Sequence, residues 1–426
     1  MLTRAATGLD PAPVRIVHLG LGAFHRAHQA WYTDLAADGW GIAAFTGRSP
    51  AMAERLSSQD GLYTLVERGA GGDSARIVSS IVEAIDGARL DRFVEIVAAP
   101  TTAIVTLTIT ENGYRLDAAG RPDENDAKMA ADLAGAVPST PLGRLLAALQ
   151  VRRASDAPLA IVPCDNIPGN GPLLRSGLLA MAERRDPGLA AWIDASVSFV
   201  STSVDRITPR AVAADRHTVE QLTGHVDVAP VITEPFHDWI LSGQFPTGSP
   251  DWAASGVRFV EDIEPFEHRK VWMLNGAHSL LAYVGQLRGH RFVADAIADP
   301  VCREWVLLFW DEVARTLDDD SLDLDEYRSA LLGRFENSRI RHELAQIAAD
   351  GSTKVQLRIL PTARAERAAG RDATGCAMAI AAWIATSGSS AGVRGAIASL
   401  DPDLAADSGF VRTVRDNLAT IQRDSA

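Results

Sequence analysis

The first fifty residues hold the feature that most constrains the fold: an apolar run, a glycine turn and a helical stretch in immediate succession. Residues 14–20 are mainly apolar and end in glycine, as in a buried strand. The turn Gly20-Leu21-Gly22-Ala23-Phe24-His25 follows and matches G-x-G-x-x-G except at its last position. Helical character then extends over residues 27–37. This order predicts the first unit of a doubly wound α/β domain, with a dinucleotide site at the turn.

Each position of the turn has its own expected role. Gly20 permits the tight bend and Gly22 lets the backbone approach a pyrophosphate, with Ala23 and Phe24 completing the cofactor-binding turn. His25 stands where a third glycine would set how closely helix and strand pack, so we expect its side chain to point outward or to lift the helix. A plain strand-to-helix turn without a ligand is the alternative interpretation.

A second apolar run, residues 41–46, predicts the next strand of the sheet. NAD sites usually carry an Asp or Glu at the end of this strand, where it binds the ribose hydroxyls. Here the chain continues Thr46-Gly47-Arg48-Ser49 without an acid. Arg48 therefore either faces the 2′-phosphate of NADP or is simply solvated, as most arginines are. The expected cofactor is NAD, with NADP left open.

Polar loops follow two further predicted strands. Residues 104–109 lead into a loop that contains Thr110 and Glu111, and residues 159–163 lead into one that contains Asn166. Ligands of open α/β sheets bind outside the carboxyl ends of the strands, so both loops are expected near a site, with turn chemistry as the alternative. Residues 198–206 alternate as in a single strand. Asp205, within this run, is as consistent with an ion pair to Arg206 as with a place in the functional site.

Beyond about residue 250 strand-like runs almost vanish and helical periodicity dominates. The predicted helices cover residues 301–317, 322–334, 340–349, 374–385 and 410–421. We therefore predict a dinucleotide-binding domain over residues 1–250. A mainly α-helical domain for substrate binding and catalysis is predicted over residues 251–426.

The segment 265–278 carries a Lys, an Asn and a closing His, and its second half is mostly apolar. At about 100° per residue, Lys270, Asn275 and His278 fall within roughly a 140° arc of a helix. Such a face presents an ammonium, an amide and an imidazole to one small polar molecule. The structural alternative is that Glu267 and Lys270 form a surface ion pair and that Asn275-Gly276 ends a short helix.

Charge and cysteine content exclude several classes of protein. The net charge of -13 argues against a nucleic-acid partner and against an anionic membrane surface. The three cysteines are widely spaced, which argues against a disulfide framework and against a zinc site. No signal peptide and no membrane-length apolar run is visible. We expect a cytoplasmic, metal-independent protein that is a monomer or a small homo-oligomer.

Seven motifs taken together resemble the polyol-specific long-chain dehydrogenase family, whose members include mannitol 2-dehydrogenase and fructuronate reductase. The motifs lie at residues 20–28, 108–114, 164–171, 204–209, 234–236, 270–278 and 350–354. They span most of the chain in the family's order. The resemblance implies a metal-independent enzyme of two domains that uses a nicotinamide dinucleotide and a small polyol or ketose.

The resemblance also implies roles for individual residues. Lys270 matches the family's catalytic lysine, the general acid/base, while Asn275 and His278 match the residues that hold and polarise the reacting oxygen. Glu267 matches a carboxylate proposed to relay protons to solvent. Substrate contacts are implied for Asn166, Asp205 and Lys354. The full expected cofactor-binding set is Gly20, Gly22, Ala23, Phe24, Arg48, Thr110 and Glu111.

The activity expected from these matches is the interconversion of a polyol and its ketose, as between D-mannitol and D-fructose. Gln346 stands where some mannitol dehydrogenases carry an Arg, eight residues before Lys354. Reduction of a ketouronate such as fructuronate is therefore the alternative, with Lys354 or Arg358 binding the carboxylate. A non-catalytic protein that senses NAD(P) on the same fold is the alternative from another class.

Overall fold

The computed structural model describes residues 1–117, 119–387 and 392–424, with backbone alone for the last residue. The chain forms two compact units, Met1–Ile263 and Glu264–Ala426, each with its own internal packing. The roles expected for the two halves, dinucleotide binding and substrate binding, remain predictions.

A six-stranded parallel sheet forms the centre of the first unit. In sheet order its strands are β5 (Ile81–Ile85), β2 (Gly41–Phe45), β1 (Val14–Leu19), β6 (Ile104–Leu107), β7 (Leu159–Pro163) and β8 (Val197–Phe199). Counted within this sheet alone, the order is 3-2-1-4-5-6, which is that of the doubly wound dinucleotide-binding fold. The order reverses between β1 and β6, so the crevice for a ligand is expected at the carboxyl ends of these two strands. The predicted α/β class is confirmed.

Two three-stranded sheets complete the strands of this unit. One consists of β10 (Val231–Thr233), β3 (Tyr63–Gly69) and β4 (Gly72–Val78), and the other of β12 (Arg258–Phe259), β11 (Asp238–Ser242) and β9 (Ser201–Asp205). The single strand predicted over residues 198–206 is wrong, because the chain leaves the large sheet at Val200 and β9 pairs antiparallel with β11. Residues 198–206 contain neither Gly nor Pro, so the sequence does not mark the change of sheet.

Helices cover both faces of the large sheet. The first unit has α1 (Arg4–Thr7), α2 (Ala23–Ala27), α3 (Gln29–Ala36), α4 (Ala51–Ser57), α5 (Leu90–Ala98), α6 (Glu111–Tyr114), α7 (Ala127–Leu133), α8 (Pro141–Arg152), α9 (Asn170–Arg185), α10 (Pro187–Ser196) and α11 (Ala213–Thr223). Ile16 and Val17 of β1 belong to separate apolar cores, one on each face. Both faces are therefore buried, which explains why these strands are apolar throughout.

Among its described residues, the second unit contains helices joined by loops and no β-strand. Its helices are α12 (Glu264–Arg269), α13 (Gly276–Leu287), α14 (Val293–Ala298), α15 (Pro300–Leu317), α16 (Leu324–Phe335), α17 (Leu344–Ala348), α18 (Gly351–Arg358), α19 (Leu360–Ala368), α20 (Thr374–Ser387), α21 (Gly392–Leu400), α22 (Pro402–Ala406) and α23 (Ser408–Asp424). A π-helical turn, Lys270–Asn275, joins α12 to α13. The predicted mainly helical character of this half is confirmed.

The most apolar helix of the second unit is α20. All residues from Gly375 to Ile384 are buried, so the helix predicted over residues 374–385 is a core helix. Among the described residues, no single helix has the length and apolar composition needed to cross a membrane, and α20 with α21 reaches that composition only as a bent pair.

Candidate active site

The glycine turn after β1 has a backbone conformation that only glycine readily adopts. Gly20 has φ +116°, and a Cβ atom at this position would lie 2.4 Å from the carbonyl oxygen of Thr108. Its N–H donates to the carbonyl of Phe45, 2.9 Å away, at the end of β2. The carboxyl ends of β1, β2 and β6 therefore approach one another closely around this residue.

His25 is buried, and the expectation that its side chain points outward is wrong. Its ring stacks on that of His18 in β1, with ring centroids 3.3 Å apart and an angle of 7° between the planes. The two stacked rings occupy the space between α2 and β1, where a glycine at position 25 would have had no side chain. Burial lowers the pKa of His18 to about 3 and that of His25 well below its ordinary value, so both rings are neutral near pH 7.

A cavity of about 520 Å³ opens at the carboxyl ends of β1, β2 and β6, within the size range of small-molecule sites. Three of the predicted cofactor residues line it, namely Gly20, Arg48 and Thr110. The other four do not line it: Gly22, Ala23, Phe24 and Glu111. The helix that follows the glycine turn is short, because it breaks at His28 after five residues.

Four cationic side chains line this cavity, and sequence patterns singled out only Arg48. The others are Arg115, Lys128 and Arg144, which come from the loops and short helices between β6 and the start of α8. These residues fit no motif, so their positive charge was the one available signal. Arg115 forms a salt bridge with Asp126, while the other three have no carboxylate partner among the described residues.

The two polar loops predicted near the site are joined by a buried hydrogen bond. The Tyr114 hydroxyl, at the last residue of α6, donates to the Asp165 carboxylate, in the loop after β7. Asp165 also accepts from the backbone N–H of Ile167, at 3.0 Å, which holds the turn around the exposed Asn166. Asp205, the last residue of β9, is half-buried.

In the second unit the predicted catalytic residues lie on one continuous helical segment that contains the π turn. Lys270 and Asn275 are the first and last residues of that turn and are half-buried, and His278 is buried in the first turn of α13. Glu267 is half-buried, one turn before Lys270 in α12. The wider π turn changes the angular spacing assumed from a regular α-helix, and such turns are frequent at functional sites.

The alternative in which Asn275-Gly276 ends a short helix is wrong. Gly276 has φ −62° and ψ −50°, and the helix continues through it to Leu287. A Cβ atom on Gly276 would lie 2.7 Å from the ring of Phe309, which is fully buried in α15. Close packing of two helices therefore explains this glycine.

Two polar groups of this segment are not satisfied by the described part of the chain. Nε2 of His278 is buried without a hydrogen-bond partner, and the Asn275 side chain makes no hydrogen bond there. Burial, followed by unfavourable electrostatic interaction of the protonated ring with His342, Arg334 and Arg358, keeps the pKa of His278 well below its ordinary value. The imidazole is therefore neutral near pH 7 and offers a nitrogen to an incoming group. An unpartnered buried nitrogen costs roughly 1–3 kcal/mol unless a ligand supplies its partner.

Helix α18 brings two more cations to this segment. The Arg358 guanidinium donates to the backbone carbonyl of Asn275, at 3.2 Å, and to the Ser279 hydroxyl, at 3.1 Å. Lys354 donates through Nζ to the carbonyl of Ile347, at 3.0 Å, and burial followed by the nearby Arg358 lowers its pKa. Arg358 forms no salt bridge with a described residue, so its positive charge is not balanced there.

One group of possible metal ligands lies elsewhere in the second unit. Side-chain atoms of His290, Asp299 and Cys302 lie within 4.8 Å of one another. However, the Asp299 carboxylate already binds Nε of Arg288 at 2.6 Å, which places a positive charge where a cation would sit. We therefore assign no metal to this group.

Comparison with known protein families accounts for nearly the whole chain. The model for the mannitol dehydrogenase Rossmann domain matches residues 14–254, and the model for the mannitol dehydrogenase C-terminal domain matches residues 262–406. The chain belongs to the mannitol dehydrogenase family. As a mannitol dehydrogenase family member it is an oxidoreductase, and the predicted family is confirmed.

Similar proteins of this family differ in the substrates that their names give. D-mannonate oxidoreductase of Escherichia coli is 39% identical over 386 residues, covering 87% of this chain and 79% of the relative. A crystal structure of D-sorbitol dehydrogenase in substrate-free form matches with TM-score 0.91 and 28% identity, covering 100% and 99% of the two chains. Mannitol 2-dehydrogenase of Pseudomonas fluorescens, in a ternary complex with NAD and D-mannitol, matches with TM-score 0.80 and 31% identity, covering 100% and 97%.

Proposed function

We propose that this family member transfers a hydride between a nicotinamide dinucleotide and a secondary alcohol carbon of a sugar alcohol or sugar acid, with Lys270 as general acid/base. The observation that carries the proposal is the segment from Lys270 to His278. It presents an amine, an amide without a partner and a buried imidazole nitrogen without a partner along one helical segment. These are the groups needed to move a proton and to stabilise a negatively charged oxygen.

The residues of the first unit fit a dinucleotide. Gly20 leaves no room for a side chain where β1, β2 and β6 converge, and the adjoining cavity is lined by cations that suit phosphate groups. The cavity lies at the point where the strand order reverses, which is the usual position of a nucleotide in this fold. The nicotinamide of such a cofactor supplies the hydride chemistry, and the protein handles the proton.

The chain's own residues divide the remaining work. In the direction of oxidation, neutral Lys270 accepts the proton of the substrate hydroxyl, and in reduction its ammonium returns that proton. The Asn275 amide and neutral His278 donate hydrogen bonds to the substrate oxygen as it gains negative charge, and loss of one such donor typically costs about 10²–10³ in rate. Glu267, one turn earlier, relays the proton between Lys270 and solvent.

Two variants of Lys270 test the acid/base role separately from charge. Lys270→Ala should lower turnover by several orders of magnitude while the dinucleotide still binds. Lys270→Arg keeps the positive charge but does not release a proton near neutral pH, so it should be equally inactive. A small primary amine added to Lys270→Ala should restore part of the activity. Near-normal turnover in either variant would eliminate Lys270 as the acid/base.

Two substrate pairs are candidates. D-mannitol and D-fructose are the pair expected from sequence, and D-mannitol is the ligand of the similar Pseudomonas fluorescens enzyme. A specific observation favours the second candidate, a ketouronate such as fructuronate and its sugar acid. Arg358 contacts the backbone of Asn275 and has no carboxylate partner among the described residues, so it can bind a substrate carboxylate.

Steady-state rates on mannitol, arabinitol, fructose and fructuronate separate these candidates. If a carboxylate binds Arg358, then Arg358→Gln should raise KM for fructuronate by about 10- to 100-fold and leave the weaker reaction with fructose nearly unchanged. An equal loss on both substrates would mean that Arg358 only supports the fold of the segment. Binding of the dinucleotide without turnover on any of the four compounds would instead favour the non-catalytic alternative.

A further inference from the structure

Lysine is rare in this chain, and its positions are informative. The chain has 41 Lys and Arg residues, and only three of them are lysines: Lys128, Lys270 and Lys354. Arginine is thus by far the commoner basic residue of this protein. Lys270 and Lys354 belong to the segment proposed for catalysis and to the helix beside it. The remaining one, Lys128, lines the cavity at the carboxyl ends of β1, β2 and β6.

Arg48 lines the same cavity from a different element. It follows the end of β2, the position from which an acid binds the 2′-hydroxyl in NAD sites. No Asp or Glu is among the lining residues, which include Thr46, Gly47 and Ser139 beside the cations. A cavity of this composition attracts an additional anionic group and offers no acceptor carboxylate for a free ribose hydroxyl.

The charges of the four cations are balanced to different degrees. Arg115 is paired with Asp126, whose carboxylate also accepts from the backbone N–H of Lys128 at 3.0 Å. Arg144 donates through Nη1 to the carbonyl of Gly87. The side chains of Arg48 and Lys128 are exposed and form neither a hydrogen bond nor a salt bridge within the described parts of the chain. Two positive charges on separate elements therefore remain for a ligand.

We propose that Arg48 and Lys128 bind the 2′-phosphate of NADP, so that this enzyme prefers NADP(H) to NAD(H). A phosphate monoester carries a charge of about −1.5 to −2 at neutral pH, which two cations balance. Arg48 forms a two-pronged contact and Lys128 contributes a compact point charge on a long stem. The proposal rests on the proposed function, because a dinucleotide is taken to occupy this cavity.

Nucleotide fragments test the proposal without any turnover. Binding of 2′,5′-ADP and of 5′-ADP to the full-length protein is measured by isothermal titration calorimetry. The unchanged protein should bind 2′,5′-ADP at least 10-fold more tightly than 5′-ADP. Arg48→Gln and Lys128→Gln should each weaken 2′,5′-ADP by about 10- to 100-fold, the range for hydrogen bonds to a charged group, and change 5′-ADP less than about 2-fold.

Arg55→Gln is the matched control, because Arg55 is an exposed arginine of α4 that does not line the cavity. It should leave the affinities for both nucleotides unchanged. Equal affinity of the unchanged protein for both nucleotides, or an equal loss of both in Arg48→Gln and Lys128→Gln, would overturn the 2′-phosphate site and leave the proposed function intact. If neither nucleotide bound the folded, full-length protein, both the 2′-phosphate site and the proposed function would be overturned.

Discussion

Arg152 makes the most specific structural prediction for the first unit. Its side chain is fully buried, and all five of its N–H groups donate to backbone carbonyls. The acceptors are the oxygens of Val97, Ala99, Thr102, Ala157 and Pro158, at 2.6–2.8 Å. They lie at the end of α5 and in the segments that lead into β6 and β7. One guanidinium therefore ties together the starts of two strands whose far ends carry the predicted site loops.

The cost of replacing this side chain follows from its hydrogen bonds. A hydrogen bond to a charged group contributes about 1.5–3 kcal/mol, and the five are not additive because they share one group. Arg152→Met should lower the free energy of unfolding by about 3–5 kcal/mol, since it leaves carbonyls buried without donors. Arg152→Lys keeps the charge but has only three donors, so we expect a loss of about 2–3 kcal/mol.

Amide hydrogen exchange followed by mass spectrometry resolves where this stability is lost. Peptides that cover residues 97–107 and 157–163 should exchange faster in both variants than in the unchanged protein. The midpoint of thermal unfolding should fall further in Arg152→Met than in Arg152→Lys. The control is Arg153→Lys at the next position. The Arg153 and Asp186 side chains form a single ion pair, are 38% and 40% exposed, and contribute less than about 1 kcal/mol. If Arg152→Lys changes exchange and melting no more than Arg153→Lys, the reasoning is refuted.

Two further predictions concern the second unit. Gly276→Ala should lower the free energy of unfolding by about 1–2 kcal/mol, because the new Cβ would overlap the buried ring of Phe309. Gly333→Ala, at a helical position with open space around it, should raise the free energy of unfolding by up to about 1 kcal/mol. A higher melting temperature in both variants would contradict the overlap at Gly276. Burial favours a higher pKa for the Glu366 carboxyl, but hydrogen bonds from Arg371 and Arg315 outweigh burial and hold the pKa below its ordinary 4.5. The carboxylate therefore stabilises the fold above about pH 4.5 and loses this effect as the pH falls through the lowered pKa. The difference in melting temperature between the unchanged protein and Glu366→Gln should shrink on acidification. A difference that stayed constant with pH would refute this role of Glu366.

The sequence alone determined the type of fold and the family. The strands at residues 14–19, 41–45, 104–107 and 159–163 were predicted from their apolar runs because strands buried on both faces are apolar throughout. The glycine turn was predicted because a backbone with positive φ at Gly20 leaves a direct mark on residue choice. Helices α15, α16, α20 and α23 were predicted from local periodicity, and the Lys270 segment from its order of residue types. The helix predicted over residues 340–349 is only Leu344–Ala348, and α14, α18, α19, α21 and α22 were not predicted. All of these signals lie within a few neighbouring residues.

The tertiary structure decided the features that depend on which surfaces meet. His25 turned inward because the ring of His18, on a neighbouring element, offered a flat surface against which to stack. The three cations beyond Arg48 come from the loop after α6, from α7 and from α8, which only the tertiary structure brings to the cavity. Arg358 lies 83 positions from Asn275, whose backbone carbonyl it contacts. The π turn placed Lys270 and Asn275 at an angular spacing that a regular helix does not have. Contacts between residues far apart in sequence leave no local pattern, so only the folded chain reveals which charges and polar groups share a site.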